Sequence, residues 1–459
     1  MSVGAIVLAA GRGTRMRSDK AKVLQVAAGR TLLEWVLEAV SPLDADEVSV
    51  VVGFEAEEVT AVLPDGAVAV VQDPQNGTGH AALVGLGGIS KTHDTVVVVP
   101  GDMPLIRAES LGALVAERQR SEAAATVLTV ELENPYGYGR IVRSGGAVTA
   151  IVEERDGTQE ERMICEVNTS VYAFDGGLLA DALARIANDN DQGEYYLTDV
   201  IGILVRDGHS VSALLTDEEE GFGVNSQAQL AEASAVLRSR INAELLDSGV
   251  WMLDPTRVYI DADVTVAPGA KIYPDTYLTG DTTVAAGACV GPSVQAHDST
   301  IGEDATVVNA VLSGAVVGAN ASVGPFAYLR PGAVLAAGAK AGTYVEIKNS
   351  EVGEGSKVPH LSYIGDTTIG KRANIGAGTI TVNYDGYDKH RTIIGDRAKI
   401  GSDTMLVAPV TIGDDASTGA GSVITQDVPD GALGVERAVQ KNIPDYAERR
   451  RTRANEESD

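Results

Sequence analysis

Residues 317–347 read VGANASVGPFAYLRPGAVLAAGAKAGTYVEI, with an apolar side chain at every sixth position: Val317, Val323, Leu329, Leu335, Ala341 and Ile347. Neither a helix of period 3.6 nor an alternating strand produces a period of six. A hexapeptide solenoid does. Each hexad makes one flat face, three faces close a coil, and the apolar residue points to the axis. The same step runs through Ile260, Val266, Ile272, Leu278, Val284 and Val290, and again through Ile394, Ile400, Leu406, Ile412, Thr418 and Ile424. With three faces the coil period is 18 residues, and the region from Val258 onward holds about ten coils. Gly, Ala and Ser between the apolar positions explain the low aromatic content, 4% of the whole chain. The stretch from Thr381 to Arg391 interrupts the period with Asn383, Tyr384, Asp385 and Gly386, which predicts a turn-rich loop projecting from the coils.

Upstream, the pattern is of another kind. Short apolar or β-branched runs at Val3 to Leu8, Val48 to Val52, Ala67 to Val71, Thr95 to Val99 and Ala124 to Val130 alternate with amphipathic segments such as Leu32 to Val40 and Glu109 to Arg120. This alternation predicts parallel strands with crossover helices and a ligand at the carboxyl ends of the strands. Residues 227–247 read as one connecting helix, with Leu230, Leu237, Ile241 and Leu245 apolar. The expected organisation is therefore an α/β domain over 1–226, a linker helix over 227–247, a solenoid over 248–437 and a C-terminal segment over 438–459 ending in a disordered, charged tail.

The 459 residues carry a formal charge of −28, which opposes general binding to nucleic acid or to an anionic membrane. A small phosphate ligand in a local basic pocket remains compatible with it. Apolar runs such as Val96 to Val99 fall far short of the roughly 20 residues of a membrane span, and the start has no basic region of a secretory signal. Two cysteines, Cys165 and Cys289, are too few for a disulfide framework. A cytoplasmic protein is expected.

Several motifs carry chemistry. The first strand runs into Leu8-Ala9-Ala10-Gly11-Arg12-Gly13-Thr14-Arg15-Met16, where glycines let backbone N–H groups approach phosphates and Arg12, Arg15 and Lys22 supply positive charge. Asp102, in Gly101-Asp102, ends the run Val96 to Val99, where a Mg²⁺ ligand for a nucleotide would sit; a helix-capping or turn aspartate is the plainer reading. In the solenoid, Arg330 and Lys348 lie 18 residues apart and in phase, so they stack on adjacent coils about 4.8 Å apart. An anion between them would relieve their repulsion, and so would splaying into solvent. His360 follows beside a slip in the repeat, and Ser402 and Ala420 are again one coil apart.

Leu8 to Met16 with Lys22, Gln72, Gly77-Thr78-Gly79-His80 and Gly101-Asp102 resemble the signature of sugar-nucleotide pyrophosphorylases. Joined to a hexapeptide solenoid, they resemble one family over nearly the whole chain: the bacterial bifunctional N-acetylglucosamine-1-phosphate uridylyltransferases/glucosamine-1-phosphate acetyltransferases. The resemblance implies a Rossmann-like nucleotidyltransferase domain followed by a left-handed parallel β-helix. It implies N-acetylation of glucosamine 1-phosphate from acetyl-CoA, then Mg²⁺-dependent coupling of the product to UTP, within cell-wall synthesis. In that family the residues matching Leu8, Ala9, Ala10, Gly11, Gln72, Gly77 and Thr78 hold the uracil and ribose. Arg15 and Lys22 match the basic residues on the triphosphate, and Asp102 and Asn225 match the metal ligands. Gly139, Glu153 and Asn168 match residues on the N-acetylhexosamine phosphate.

For acetyl transfer, His360 matches the general base. Arg330, Lys348, Tyr363, Asn374 and Lys389 match residues around the sugar and its phosphate. Asn383 matches a residue that orients the amine and lies, with Ala377, Tyr384, Ser402, Ala420 and Arg437, at the acetyl-CoA site. The resemblance further implies a homotrimer through the solenoid, each acetyl-transfer site completed by a neighbouring subunit. No clear match exists for a basic residue the family places further along: Ile443 falls near it, and Lys441 could substitute. Two rivals stand against this reading. A single-activity sugar-1-phosphate nucleotidyltransferase with a regulatory β-helix needs no base at His360, and a non-catalytic scaffold releases no pyrophosphate from UTP.

Overall fold

The computed structural model describes residues 2–89, 93–190 and 192–457. The chain divides into two compact units, Met1–Ile241 and Asn242–Asp459. The division falls inside one 21-residue helix, Gln227–Asp247, the segment read above as a linker. The first part of that helix belongs to the first unit, where Ala233 and Leu237 are buried with Met16, Leu32 and Leu105.

The first unit is built on one twisted sheet. Its strands are β1 (Val3–Leu8), β2 (Glu47–Val52), β3 (Ala67–Val71), β4 (Thr95–Pro100), β5 (Ala125–Glu131), β6 (Arg140–Ser144), β7 (Ala147–Val152), β8 (Glu166–Asp175) and β9 (Val211–Leu215). The sheet order is β9-β5-β8-β4-β1-β2-β3, with β6 pairing β8 and β7. Ala5 and Val7 of β1 pack in one apolar cluster and Ile6 in another, so the sheet is covered on both sides. Helix α1 (Leu32–Val40) supplies Leu33, Val36 and Leu37 to the first, and α2 (Thr78–Gly87) supplies Ala81 and Ala82 to the second. A capping box starts α1: Glu34 N donates to Thr31 Oγ1 at 3.1 Å and Thr31 N donates to Glu34 Oε2 at 2.6 Å.

The expected all-parallel sheet is corrected in one place. β8 runs antiparallel to both neighbours, β4 and β5. The cause is the β6–β7 hairpin, whose tight turn at Gly145 and Gly146, both at positive φ, reverses the chain where a crossover helix would have kept its direction.

The second unit is a parallel β-helix of the left-handed hexapeptide class. Its three faces are ladders of parallel strands. The first runs from Trp251–Met252 to Leu433–Gly434, the second from Val258–Ile260 to Val423–Ile424, and the third from Thr265–Val266 to Val410–Ile412. Every residue of the three six-step series is at most 6% exposed, and successive coils align their apolar residues, as Leu329 with Ile347.

The gap between the first two series is not a gap in the core. Ile301 stacks under Val284 at a spacing of 17 residues and Val317 under Ile301 at 16. Shortened corners hide the period from the sequence while the inward positions continue. The predicted loop is present: Thr367 pairs with Thr392, 25 residues on, and the extra chain forms a small hairpin closed by a Tyr384–Lys389 bridge.

The stretch Arg449 to Asp459, expected to be disordered, begins as helix: Tyr446–Glu456 is helical with no buried residue. After Pro444 it contains no helix breaker and is rich in Ala, Glu and Arg, good helix formers. Ser458 and Asp459 lie outside the described residues.

Because Ile347 is fully buried against neighbouring rungs, Ile347→Ala should destabilise the solenoid by about 2–5 kcal/mol in denaturant unfolding. A loss below about 0.5 kcal/mol, the usual range of a surface substitution, would contradict the stacked core.

Candidate active sites

In the first unit, β1 and β4 end side by side, tied by Gly101 N donating to Leu8 O at 2.8 Å. Their ends open into a cavity of about 550 Å³ lined by Leu8, Ala10, Gly11, Arg15, Lys22, Gln72, Gly77, Thr78, Asp102, Glu153 and Asn225. Eleven of the residues singled out from the sequence thus surround one space. The loop geometry explains how Lys22 reaches it. Gly13 has φ +65°, and a Cβ there would lie 2.5 Å from Lys22 Cβ, so only glycine lets the lysine pass. The Lys22 ammonium then contacts Asp102 and donates to Asn225 Oδ1 at 3.1 Å. Val224 N donates to Asp102 O at 2.9 Å, which fixes the second segment against the first.

Four expected residues do not line the cavity. Arg12 instead lies over the Phe54 ring, 5.0 Å from its centroid. Ala9 is buried in the strand end, and Gly139 packs behind it, against Ile151 and Glu153. Asn168 is 4% exposed and turned inward, its amide donating to the Tyr172 hydroxyl at 2.7 Å. Among the lining residues that the sequence did not single out, two tie the site together. Gln75 Nε2 donates to Ala10 O at 2.8 Å and fastens the glycine loop; its place three residues after Gln72 was the available signal. Thr198 donates to Glu153 Oε1 at 3.1 Å, and no local pattern marks it. Burial pushes the Glu153 carboxyl above its ordinary value, against the pull of that hydrogen bond.

The solenoid residues form two groups on adjoining parts of the prism. One is a column at the corner between the first and second faces. Gly378 N donates to His360 O at 3.4 Å, Asp403 N to Ala377 O at 2.7 Å and Gly421 N to Ser402 O at 2.8 Å. Arg437 Nη1 donates to Ala420 O at 3.1 Å. His360, Ala377, Ser402, Ala420 and Arg437 therefore follow one edge across successive coils.

The other group lies on the second face and its loop. Arg330 N donates to Ile347 O at 2.8 Å, beside Lys348, so the expected stacking of the two basic positions holds. The Arg330 guanidinium itself pairs with Glu346 at 2.8 Å. Lys348 aligns with Gly365 of the next coil, and a Cβ on Gly365 would lie 2.6 Å from the Tyr363 hydroxyl and 2.7 Å from Asn383 Nδ2. Lys348 also stands beside Lys389 of the loop and holds the Lys389 ammonium below the usual lysine value, against the pull of the Asp366 carboxylate. Asn374 stands apart, on the first face between Lys357 and Lys399. Tyr384 is exposed on the loop, its hydroxyl donating to Gly386 O at 2.7 Å.

Two lysines brought together beside Tyr363 suit an anion, and a glycine loop at a strand end with a basic lining suits a nucleotide. These features define a nucleotidyltransferase joined to a hexapeptide-repeat transferase. Comparison with known proteins agrees: residues 5–171 match the MobA-like NTP transferase domain, and residues 391–426 match the bacterial transferase hexapeptide, six repeats. The bifunctional protein GlmU of Streptomyces avermitilis is 51% identical over 453 residues, 97% of this chain and 94% of the relative. GlmU of Streptomyces coelicolor is 50% identical with the same coverage, and that of Carboxydothermus hydrogenoformans 48% over 96% and 99%. The chain belongs to the GlmU family of bifunctional proteins. It is a uridylyltransferase and acetyltransferase of UDP-N-acetylglucosamine synthesis.

Gly13→Ala should force Lys22 off Asp102 and Asn225 and lower uridylyl transfer at least tenfold, since a misplaced group of this kind costs up to about 10²-fold. A variant with the wild-type rate would separate Lys22 from that reaction. Because Lys389 is depressed by a neighbouring cation, an anion bound there should raise its affinity for protons. Titration with glucosamine 1-phosphate at alkaline pH should then show more proton uptake in the wild type than in Lys389→Met, read as a buffer-dependent heat; equal uptake in the two would contradict the pairing.

Proposed function

We propose that the cavity of the first unit binds UTP and N-acetylglucosamine 1-phosphate, and that the second unit binds glucosamine 1-phosphate and acetyl-CoA. The observation that carries the first assignment is the convergence of Arg15, Lys22, Asp102 and Asn225 with the glycine loop on one cavity. The sugar phosphate is already an anionic nucleophile, so no base is needed. Its oxygen attacks the α-phosphorus of UTP, the new P–O bond forms as the bond to pyrophosphate breaks, and Arg15 and Lys22 steady the charge. Leu8, Ala10, Gly11, Gln72 and Thr78 hold the nucleoside; Glu153 holds the hexosamine.

A divalent cation fits this site. Asp102 and Asn225 offer oxygens to one point that already accepts a cationic group, the Lys22 ammonium. Among the described residues no cluster of three His, Cys, Asp or Glu side chains could hold a metal alone. This suits Mg²⁺, which takes one or two protein oxygens together with substrate phosphates and, when bound, neutralises charge on them.

In the second unit, Arg330, Lys348, Tyr363, Asn374 and Lys389 hold the sugar phosphate, with Asn383 at its amine. Ala377, Tyr384, Ser402, Ala420 and Arg437 follow the acetyl-CoA arm. The amine nitrogen attacks the thioester carbonyl, the C–N bond replaces the C–S bond, and His360 takes the proton and returns it to the CoA sulfur. Such a base contributes about 10²–10⁴-fold.

Asn374 and the Lys348 group stand on different faces of the prism. This supports a homotrimer in which a neighbouring solenoid completes each site. The same reading makes the protein a cytoplasmic supplier of a cell-wall precursor; among the described residues no helix is long and apolar enough to cross a membrane.

Asp102→Ala should abolish pyrophosphate release from UTP while leaving CoA release from acetyl-CoA nearly unchanged, and His360→Ala should do the reverse. Loss of both activities in either folded variant would contradict two separate sites.

A further inference from the structure

Asp366 is a buried carboxylate, 8% exposed, set among cations and amides at the end of the second face. Its Oδ1 accepts from Asn349 Nδ2 at 2.5 Å, and its Oδ2 accepts from the amide of Asn383. Its backbone is held as well: Asp366 N donates to Lys348 O at 3.1 Å and Thr392 N donates to Asp366 O at 3.2 Å. Burial works to raise this carboxyl; the two amides with the Lys348 and Lys389 charges outweigh it and keep it ionised, below the usual carboxylate range.

A negative charge beside a pocket that must hold a phosphate opposes that ligand. Its role must therefore lie elsewhere than in binding the anion. An amide side chain has a donor end and an acceptor end, and a carboxylate accepts only. Asn383 is itself 8% exposed, so few other partners are open to it. With Nδ2 bound to Asp366, its Oδ1 has to face the other way, offering an acceptor to an N–H group.

We propose that Asp366 is a positioning residue for acetyl transfer: it fixes the rotamer of Asn383 so that Oδ1 accepts an N–H of the attacking amine. This rests on the reading of the second unit as the acetyl-transfer site. Gly365 belongs to the same device. A side chain there would press between the Tyr363 hydroxyl and Asn383 Nδ2.

The test is a double-mutant cycle on the full chain, with glucosamine 1-phosphate and acetyl-CoA. Asp366→Ala should lower kcat for acetylation about 10- to 100-fold, the scale of a misoriented group, without raising KM for the sugar phosphate. A purely structural loss would not divide kcat from KM in this way. Asp366→Asn keeps one acceptor oxygen for Asn383 and should retain more of kcat than Asp366→Ala. If Asp366 acts through Asn383, adding Asp366→Ala to Asn383→Ala should cost nothing more. If Asp366→Ala fails to fold, judged by loss of cooperative unfolding of the solenoid, the cycle run with Asp366→Asn decides. Wild-type kcat in Asp366→Ala, additive losses in the double variant, or equal losses for Asn and Ala at 366 would each overturn the proposal. A wild-type protein without acetylation would instead sink the reading of the site itself.

Discussion

The stacking of inward apolar side chains, one above another along the solenoid axis, is the constraint on which the second unit depends. Leu329 over Ile347 and Ile347 over Ile364 set the register of the second face. Once that register is set, the outward neighbours have no freedom of placement along the axis, and rungs lie about 4.8 Å apart. Lys348 must stand over Gly365 and beside the loop that carries Lys389 and Asn383. The repulsion between the two lysines is offset by the ionised Asp366 carboxylate, on which both charges act. Rung-to-rung backbone hydrogen bonds fix the placement of the corner column from His360 to Ala420, and the Arg437 side chain joins it through Ala420 O.

The first unit solves its placement problem differently. Its cavity lies where two neighbouring parallel strands end, and its polar groups come from loops that converge there. Two backbone bonds, Gly101 N to Leu8 O and Val224 N to Asp102 O, lock those loops to one another. The antiparallel β8 widens the sheet on the side of Glu153 and Thr198, so that side of the cavity is built from the hairpin region and the glycine-loop side from the parallel region. Each chemistry has its own framework, and the two frameworks share no architectural principle.

Much of this was legible in the residues. The period of six is a direct trace of the prism, and α1 and the first strands follow their apolar patterning closely. What was not legible has physical causes. Corners can lose a residue or two without disturbing the inward positions, so coils of 16 and 17 residues erased the period between Val290 and Val317. Strand direction depends on the connection, and the Gly145-Gly146 turn that reverses it is local while its consequence is not. Asn168 looked available for ligand, yet its amide is taken by Tyr172. Thr198 and Asp366 act through partners distant in the chain or in the next coil, and nothing near them in the sequence announces those partners.

On the proposed reading, the Lys348–Lys389 pair is an anion site whose neighbour Asn383 faces the reacting amine. A crystal structure with glucosamine 1-phosphate bound tests it directly. The phosphate oxygens should lie about 3 Å from both lysine ammonium groups and the amino group within hydrogen-bond reach of Asn383 Oδ1. A sugar phosphate seated elsewhere, with Lys348 and Lys389 bearing no ligand, would contradict it.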